Sequence, residues 1–169
     1  ILVPMNATDT GGLQGYVHAH SLTNGERLWA ANMIPAPGEP GGDTWPGDSR
    51  IYGGAGPWVP GTYDHELKLS FTGTANAYPW NPYSERQGAG SKENNSNVGA
   101  ASIVAVDTDS GKVKWRYVVV PGDPWDYDAH HTPVIVNIDN KKVIVQANKT
   151  GYMHYLDAMS GKFLQAPQI

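Results

Sequence analysis

The stretch "SIVAVDTDSGKVKW" at residues 102–115 decides the fold of the chain. A run that favours a β-strand leads into a polar turn ending in Ser-Gly, and a second strand-like run follows the turn. Glycine at the end of such a turn supplies the positive φ that a tight hairpin requires. The stretch therefore predicts two antiparallel strands joined by a short turn.

Two further segments repeat this plan, "YVHAHSLTNGERLW" at 16–29 and "YMHYLDAMSGKFL" at 152–164. In the first two copies along the chain a tryptophan, Trp29 or Trp115, stands four residues after the turn glycine. The corresponding place in the third copy falls at Gln165. Recurrence of one hairpin unit along a chain indicates a repeat architecture.

Strand patterns also fill the rest of the chain. The 20 glycines and 13 prolines among 169 residues favour many turns over long helices. Strand-like runs bounded by Gly, Pro, Asn or Asp occur at 15–21, 58–63, 67–72, 102–106, 113–120, 132–138, 143–146 and 152–156. The gaps leave no room for crossover helices, so the pattern predicts an all-β chain with antiparallel pairing.

Another strand pair precedes each of the last two hairpins, which makes a unit of four antiparallel strands, the blade of a β-propeller. We interpret the whole chain, 1–169, as part of one propeller domain. Its predicted divisions are the end of one blade (1–34), a Pro/Gly-rich connection (35–55), a blade with a polar loop at 77–99 (56–120), and an incomplete next blade (121–169). This number of blades cannot close a ring. We therefore expect both ends to be cut from a longer chain.

Composition excludes several classes of function. A net charge of -4 and a pI near 5.8 give no electrostatic case for binding nucleic acid or an anionic membrane surface. The absence of cysteine excludes disulfides and thiolate metal sites within these residues. No apolar run is long enough to predict a membrane span.

Longer motifs carry a resemblance to a known family. "AVDTDSGKVKW" at 105–115 resembles the tryptophan-docking repeat of the quinoprotein dehydrogenases, in which a tryptophan late in each blade packs against the next blade. The stretches 43–82, 119–136 and 147–162 resemble, in order, three site segments of alcohol and methanol dehydrogenases that depend on pyrroloquinoline quinone (PQQ). Non-catalytic propellers share the docking repeat, whereas the ordered set of three segments is more specific.

The resemblance implies a propeller that is eight-bladed when complete and that oxidises a primary alcohol, methanol or a similar one, to an aldehyde. Its implied cofactors are PQQ and one Ca²⁺ or lanthanide ion. Its implied partners are the remainder of the propeller and a cytochrome c-type electron acceptor, and its implied location is the bacterial periplasm. One alternative is a non-catalytic propeller that serves as an envelope scaffold. Another is a sugar-binding or hydrolytic propeller, but Asp126 and Asp128 are too close in sequence to flank a glycosidic bond, and no partner carboxylate is evident.

Two residues are expected to bind the cofactor. Trp58, in "GGAGPW", matches the tryptophan that lies flat beneath the PQQ ring in the family. Lys149, in "ANKTG", matches a basic residue that contacts the quinone oxygens, where a cation stabilises the charge of the reduced cofactor. The alternatives are an ordinary core tryptophan and a turn lysine in a hairpin.

Asn76 and Asp126 are expected to bind the metal ion. Asn76, in "GTANAYPW", would donate its amide oxygen to a hard cation, although Ala75 and Ala77 replace a glycine and a proline that are usual in the family. Asp126, in "PWDYD", matches the catalytic carboxylate, which acts as the general base for the alcohol hydroxyl. The alternatives are a turn asparagine and a solvated loop aspartate.

Asp128 is expected to report which metal is used. On an extended backbone residues 126 and 128 point the same way, so two carboxylates would build an oxygen cage suited to a highly charged cation. In the family an aspartate at this second position accompanies lanthanide-using members, so the sequence favours a lanthanide. The alternative is a solvent-facing aspartate.

The other candidate ligands have weaker support. We expect Asp123 to hold the shape of its loop through backbone hydrogen bonds. His130 and His131 are neighbours, and on a strand they would point to opposite faces, so we interpret them as structural or pocket-rim residues rather than a metal pair. His18 and His20 share a strand face, but no third ligand accompanies them.

One departure from the family concerns a metal-ligating glutamate. In the matching stretch "ATDTGGLQGYV" at 7–17, Thr10 takes the place of that ligand, Asp9 stands beside it, and Gln14 replaces an arginine. Three interpretations remain open: Asp9 takes over as ligand, the register shifts, or the metal site is altered.

Overall fold

Strands dominate the computed structural model, which describes residues 1–6, 11–80 and 95–169. They are β1 (Leu2–Met5), β2 (Leu13–Gln14), β3 (Tyr16–His20), β4 (Arg27–Asn32), β5 (Gly53–Gly54), β6 (Thr62–Asp64), β7 (Leu69–Gly73), β8 (Ser102–Asp107), β9 (Val113–Val118), β10 (Val134–Ile138), β11 (Lys141–Ala147), β12 (Met153–Asp157) and β13 (Phe163–Gln165). The connection between β4 and β5 contains a 3₁₀ turn, Gly42–Thr44, and one short helix, α1 (Ser49–Tyr52). In the part of the chain described, no helix is both long and apolar enough to cross a bilayer.

The strands form three antiparallel sheets that follow one another along the chain. Their strand orders are β1-β3-β4, β6-β7-β8-β9 and β10-β11-β12-β13. The last two are complete four-stranded meanders, which confirms the prediction of four antiparallel strands per blade. The short strands β2 and β5 pair in parallel and tie the Pro/Gly-rich connection to the first sheet.

The turn glycines adopt the conformation that the repeated motif predicts. Gly25, Gly111 and Gly161 have φ values of 74°, 73° and 70°, in the left-handed region that glycine adopts readily. Each of these turns joins the last two strands of its sheet. The three copies of the motif are therefore three copies of one hairpin.

Trp29 joins the first sheet to the second. Its indole N–H donates a hydrogen bond to the carbonyl oxygen of Thr108, 3.1 Å away. Its ring lies against Gly111 so closely that a Cβ on that glycine would come within 2.7 Å of the ring. The turn glycine of the second sheet thus also provides the flat surface on which the tryptophan of the first sheet packs.

Trp115 repeats the contact between the second sheet and the third. Its indole N–H donates to the carbonyl oxygen of Ala158 at 3.1 Å, and its ring covers Gly161 in the same way. Two successive contacts of identical geometry confirm the expected packing of each blade tryptophan on the next blade. The third sheet carries Gln165 in this place, on the exposed strand β13.

The apolar core lies between neighbouring sheets rather than within any one of them. Between the second and third sheets, the buried residues are Leu69, Phe71, Ile103, Ala105, Ile144, Leu156 and Ala158, with Trp115 packed against them. A second cluster between the first and second sheets includes Val17, Ala31, Met33, Val104 and Val106. Face-to-face packing of this kind fixes how the loops at one end of the sheets meet.

Candidate cofactor and metal site

Two loops place Trp58 and Asn76 on neighbouring stretches of backbone. The N–H of Ala55 donates to the carbonyl of Asn76 at 2.9 Å, and the N–H of Ala75 donates to the carbonyl of Gly56 at 3.1 Å. The "GGAGPW" segment therefore runs alongside the segment that follows β7. Because the hydrogen bonds are between main-chain groups, the relative position of the two side chains is set by the backbone.

Gly54 makes this close approach possible. Its φ is 95°, and a Cβ there would lie 2.7 Å from the carbonyl oxygen of Asn76 and 2.6 Å from the nitrogen of Tyr78. No side chain fits in that space, so glycine is required on both conformational and steric grounds.

The loop between β9 and β10 brings Asp128 to Asn76. The N–H of Ala129 donates to the carbonyl of Thr74 at 3.0 Å, which anchors the loop beside the end of β7. Oδ1 of Asp128 accepts the main-chain N–H of Asn76 at 2.8 Å. Both residues are almost fully buried: 3% of the surface of Asp128 and 2% of the surface of Asn76 are exposed. Asp128 is therefore a buried carboxylate, and the alternative of a solvent-facing aspartate is wrong.

Asp123 holds the same loop from within. Its two carboxylate oxygens accept the main-chain N–H groups of Trp125 at 2.9 Å and of Tyr127 at 2.6 Å. The side chain is buried. This is the shape-holding role expected for Asp123, and it fixes the backbone on both sides of Asp126.

Asp126 adopts a left-handed conformation, with φ of 62°. The expectation that residues 126 and 128 lie on an extended backbone is therefore wrong, because Asp126 turns the chain between them. The two carboxyl groups nevertheless meet. Partial burial, the charge of Asp128 and a hydrogen bond to Asp128 together raise the pKa of Asp126 above its usual value.

Lys149 reaches the two aspartates from the turn that follows β11. Its ammonium donates to Oδ2 of Asp128 at 2.7 Å and to the main-chain oxygen of Asp126 at 3.1 Å. Partial burial acts to lower the pKa of Lys149, but the hydrogen bond to Asp128 and the nearby negative charges raise it overall. A protonated Lys149 thus neutralises part of the negative charge of the cluster.

Trp58 stands beside a stack of two histidine rings. Its ring centroid is 4.4 Å from that of His130, with an angle of 51° between the planes. The rings of His130 and His131 stack at 4.4 Å with an angle of 23°. Opposite orientations were expected for the two histidines, and that expectation is wrong because they lie in a loop before β10, not on a strand.

His130 also lies near Asp128, with 3.9 Å between its Nδ1 and Oδ2 of the carboxylate. Burial and the neighbouring His131 lower the pKa of His130 below its usual value, although the charge of Asp128 opposes them. A neutral ring is therefore favoured between the indole and the carboxylate.

The donor set fits a hard, oxygen-ligated cation. Oδ1 of Asn76 is a buried acceptor that receives no hydrogen bond from the residues the structure describes. The main chain of Asn76 is hydrogen-bonded to Asp128, and amide and carboxylate oxygens are typical ligands of calcium-like ions. Trp58 is 48% exposed, which leaves part of its ring open to a planar ligand.

The described ranges contain no group of three or more His, Cys, Asp or Glu side chains arranged to hold a metal ion. The cluster itself has two carboxylates, Asp126 and Asp128, and one amide, Asn76. Thr10, which takes the place of the family's metal-ligating glutamate, and its neighbour Asp9 lie outside the described residues.

Comparison with known proteins agrees with this architecture. The family model for PQQ, described as "Glucose/ethanol/alcohol dehydrogenase, beta-propeller domain", matches residues 3–166. The chain belongs to this family. Because the match covers nearly the whole chain, the β-propeller architecture expected for its sheets is confirmed.

Individual members of the PQQ family show how much of their own length the chain matches. It is 36% identical to quinohemoprotein alcohol dehydrogenase ADH IIB of Pseudomonas putida over 92% of the chain and 24% of that protein. It is 29% identical to the lanthanide-dependent methanol dehydrogenase of Methylacidiphilum fumariolicum, over 92% of the chain and 28% of that protein. The chain thus spans about a quarter of the length of these relatives.

A solved structure agrees with the fold across the whole chain. A europium-containing methanol dehydrogenase superposes with a TM-score of 0.84 at 27% sequence identity, covering 99% of this chain and 32% of that one. The arrangement of the three sheets is therefore that of a PQQ-family propeller.

The sequence had not singled out Gln146 as a site residue of this PQQ-family chain. Its side-chain N–H groups donate to the carbonyl of Ala129 at 2.8 Å and to that of His131 at 2.5 Å, so one amide clamps both sides of His130. A polar residue at a buried position of the apolar strand "KKVIVQA" is the sequence signal that could have identified it. His18 and His20 lie on the first sheet with ring centroids 6.0 Å apart and have no link to this cluster among the described contacts.

Proposed function

We propose that a protein containing this chain oxidises a primary alcohol, methanol or a similar one, to an aldehyde with PQQ and one metal ion. The observation that carries the proposal is the cluster of Asn76, Asp126, Asp128 and Lys149, in which a buried amide oxygen accepts no described hydrogen bond beside two carboxylates. Trp58 lies at the edge of the same cluster through its contact with His130.

Asp126 acts as the general base. Its carboxyl group is accessible to substrate, and its pKa is raised by partial burial and by Asp128, which makes it a stronger proton acceptor than an ordinary aspartate. It therefore takes the proton of the alcohol hydroxyl. When bound, PQQ supplies the acceptor for the hydride, and the cation increases the electrophilicity of its carbonyl carbon.

Asn76 and Asp128, with Asp126, hold the cation through oxygen atoms. Asp128 is already fixed by the N–H of Asn76, so its carboxylate presents one oriented oxygen to the cluster. A second carboxylate favours a cation of higher charge, and we propose a lanthanide in preference to Ca²⁺. The names of two relatives, one lanthanide-dependent and one europium-containing, support this choice.

Trp58 and Lys149 bind the cofactor. The exposed part of the indole offers a planar surface for stacking, and the ammonium offers a positive charge for quinone oxygens. The proposed electron acceptor is a cytochrome c-type protein or domain, the proposed location is the periplasm, and other blades complete the ring. The relation to quinohemoprotein dehydrogenases supports these proposals.

The test is reconstitution of the complete protein that contains this chain, with PQQ plus either Ca²⁺ or La³⁺, followed by alcohol-dependent dye reduction. We expect activity with La³⁺ and its loss in D126N. D139N is a matched control, because Asp139 is also exposed and also has a positive φ, of 48°, but lies in the turn between β10 and β11. Activity with Ca²⁺ alone would contradict the lanthanide preference. If the protein is inactive with both metals, the non-catalytic scaffold is the better interpretation.

A further inference from the structure

The indole of Trp58 is in contact with His130, and about half of the surface of Trp58 is exposed. The two ring centroids lie 4.4 Å apart, and His130 in turn stacks on His131 at the same distance. The side chain of His130 is only 16% exposed, whereas Trp58 is 48% exposed. A half-exposed tryptophan on a loop is thus supported by a mostly buried ring.

The position of His130 is itself tightly fixed by its neighbours. The amide of Gln146 donates to the carbonyls of Ala129 and His131, the residues on either side of it. Gln146 lies on β11 with 2% of its surface exposed, so this clamp is part of the third sheet. The backbone on both sides of His130 is consequently held by a strand of the third sheet.

A further hydrogen bond ties this loop to the one that carries Trp58. The hydroxyl of Thr132 donates to the carbonyl of Pro60 at 2.9 Å, two residues beyond Trp58. Backbone and ring contacts therefore join the two loops at neighbouring points. Movement of either loop relative to the other would break both contacts.

His130 also contacts the aspartate cluster, because its Nδ1 lies 3.9 Å from Oδ2 of Asp128. It is thus the residue that stands between the indole and the carboxylate. An aromatic ring of fixed size in this place sets the separation of the two groups. Alanine would leave a gap, whereas phenylalanine would preserve the ring.

We propose that His130 is a positioning residue, which holds the indole of Trp58 in the orientation that stacks on PQQ and at a set distance from the metal-binding carboxylate. This inference rests on the proposed function. A pre-oriented indole loses less side-chain entropy when the ligand binds, so the effect of His130 is on cofactor affinity. His130 itself touches neither the substrate nor the reacting atoms.

The experiment measures equilibrium binding of PQQ to the complete, cofactor-free protein at saturating La³⁺ by absorption titration. We expect H130A to weaken PQQ binding about three- to tenfold, the amount typical of one lost aromatic contact. H130F should restore most of the affinity, whereas H130N, which is polar but lacks the ring, should not. H65A, at an exposed histidine outside the cluster, serves as the matched control and should bind PQQ like the wild type.

Each outcome of the titration separates the inference from the proposed function. If wild type binds PQQ and H130A binds it equally well, the positioning role is wrong and the proposed function stands. If H130N restores affinity better than H130F, a hydrogen bond rather than the ring is responsible, and the inference is overturned. If wild type binds no PQQ at saturating La³⁺ or, in a parallel titration, at saturating Ca²⁺, both fail. Thermal unfolding of H130F, compared with wild type without cofactor, verifies that its fold is intact.

Discussion

Nζ of Lys149 lies 2.7 Å from Oδ2 of Asp128, and the two groups form an ion pair that is buried on the aspartate side. The Asp128 side chain is 4% exposed, and that of Lys149 is 33% exposed. A buried carboxylate needs a positive charge or hydrogen bonds to remain ionised. In the metal-free protein Lys149 supplies that charge, so the lysine and a bound cation stabilise the same carboxylate.

K149M should therefore destabilise the metal-free protein. Removing the ammonium leaves the buried Asp128 carboxylate without its charged donor, and an unsatisfied buried acceptor costs about 1–3 kcal/mol. The free energy of unfolding, measured by urea denaturation in a chelator, is expected to fall by that amount. Added La³⁺ should recover part of the loss, because a ligand that binds only the native state stabilises it.

K68M is the control for this comparison. Lys68 pairs with Asp109 at 2.7 Å, but both side chains are more than 60% exposed. Exposed pairs of this kind contribute little to stability. An equal loss of stability in K68M and K149M would contradict the role assigned to the buried pair.

D126N should stabilise the metal-free protein at neutral pH. The folded-state pKa of Asp126 is raised by partial burial and by Asp128, so the fold favours the protonated form. The stability that the protonated Asp126 contributes is fully present below the unfolded-state pKa of about 3.9. It is lost as the pH rises through the folded-state pKa. We expect D126N to unfold at a higher urea concentration than wild type at pH 7, with the difference vanishing near pH 4.

The backbone at Asp126 supplies the internal control. Its φ of 62° is tolerated by asparagine and aspartate but disfavoured for alanine by roughly 1–2 kcal/mol. D126A should thus be less stable than D126N at every pH. If the two variants have equal stability, the left-handed conformation of this residue is wrong.

Local signals made the hairpins and their packing predictable. The turn glycines and the tryptophans four residues later recur in sequence, so Trp29 on Gly111 and Trp115 on Gly161 follow from the repeat. The shape of the site loop was not predictable in the same way. The turn at Asp126 is held both by the local bonds of Asp123 and by Lys149, 23 residues further along the chain, and no local pattern encodes that second contact.

The stack of His130 and His131 has a similar origin. Its loop is held by Gln146, which is distant in sequence from Ala129 and lies on a different strand. Period-two alternation describes strands, so it gave the wrong orientation for a histidine pair in a loop. The candidate residues of the site were predicted from motif resemblance, whereas their mutual contacts are seen only in the fold.

W115A should weaken the contact between the second and third sheets. The indole packs against the buried cluster of Phe71 and its neighbours and donates to Ala158. Replacing a well-packed tryptophan with alanine costs about 3 kcal/mol. W125A is the control, because Trp125 is 67% exposed, and its unfolding free energy should stay close to that of wild type. Comparable losses in both variants would contradict the docking role of Trp115.

G161A should be more destabilising than G151A. Both glycines have a positive φ, 70° and 81°, so the backbone cost of alanine is similar at the two positions. A Cβ at Gly161 would lie 2.5 Å from the ring of Trp115, whereas nothing lies within 4 Å of one at Gly151. The difference in unfolding free energy should be about 1–3 kcal/mol, the usual cost of forcing a methyl group into a packed site. Equal destabilisation would mean that Trp115 does not pack on this glycine.

The protein should lose stability in acid through His154. The side chain is 7% exposed, Tyr117 Oη lies 3.4 Å from its Nδ1, and burial lowers its pKa below the usual value. The unfolded chain takes up a proton at this histidine near pH 6.5, whereas the folded chain does so only at lower pH. The stability that the neutral His154 contributes is therefore fully present above about pH 6.5. It is lost as the pH falls from there through the folded-state pKa. In urea denaturation between pH 8 and 5, H154Q should show a shallower decline than wild type, whereas H65Q should parallel wild type. A decline of equal steepness in H154Q would rule out His154 as its source.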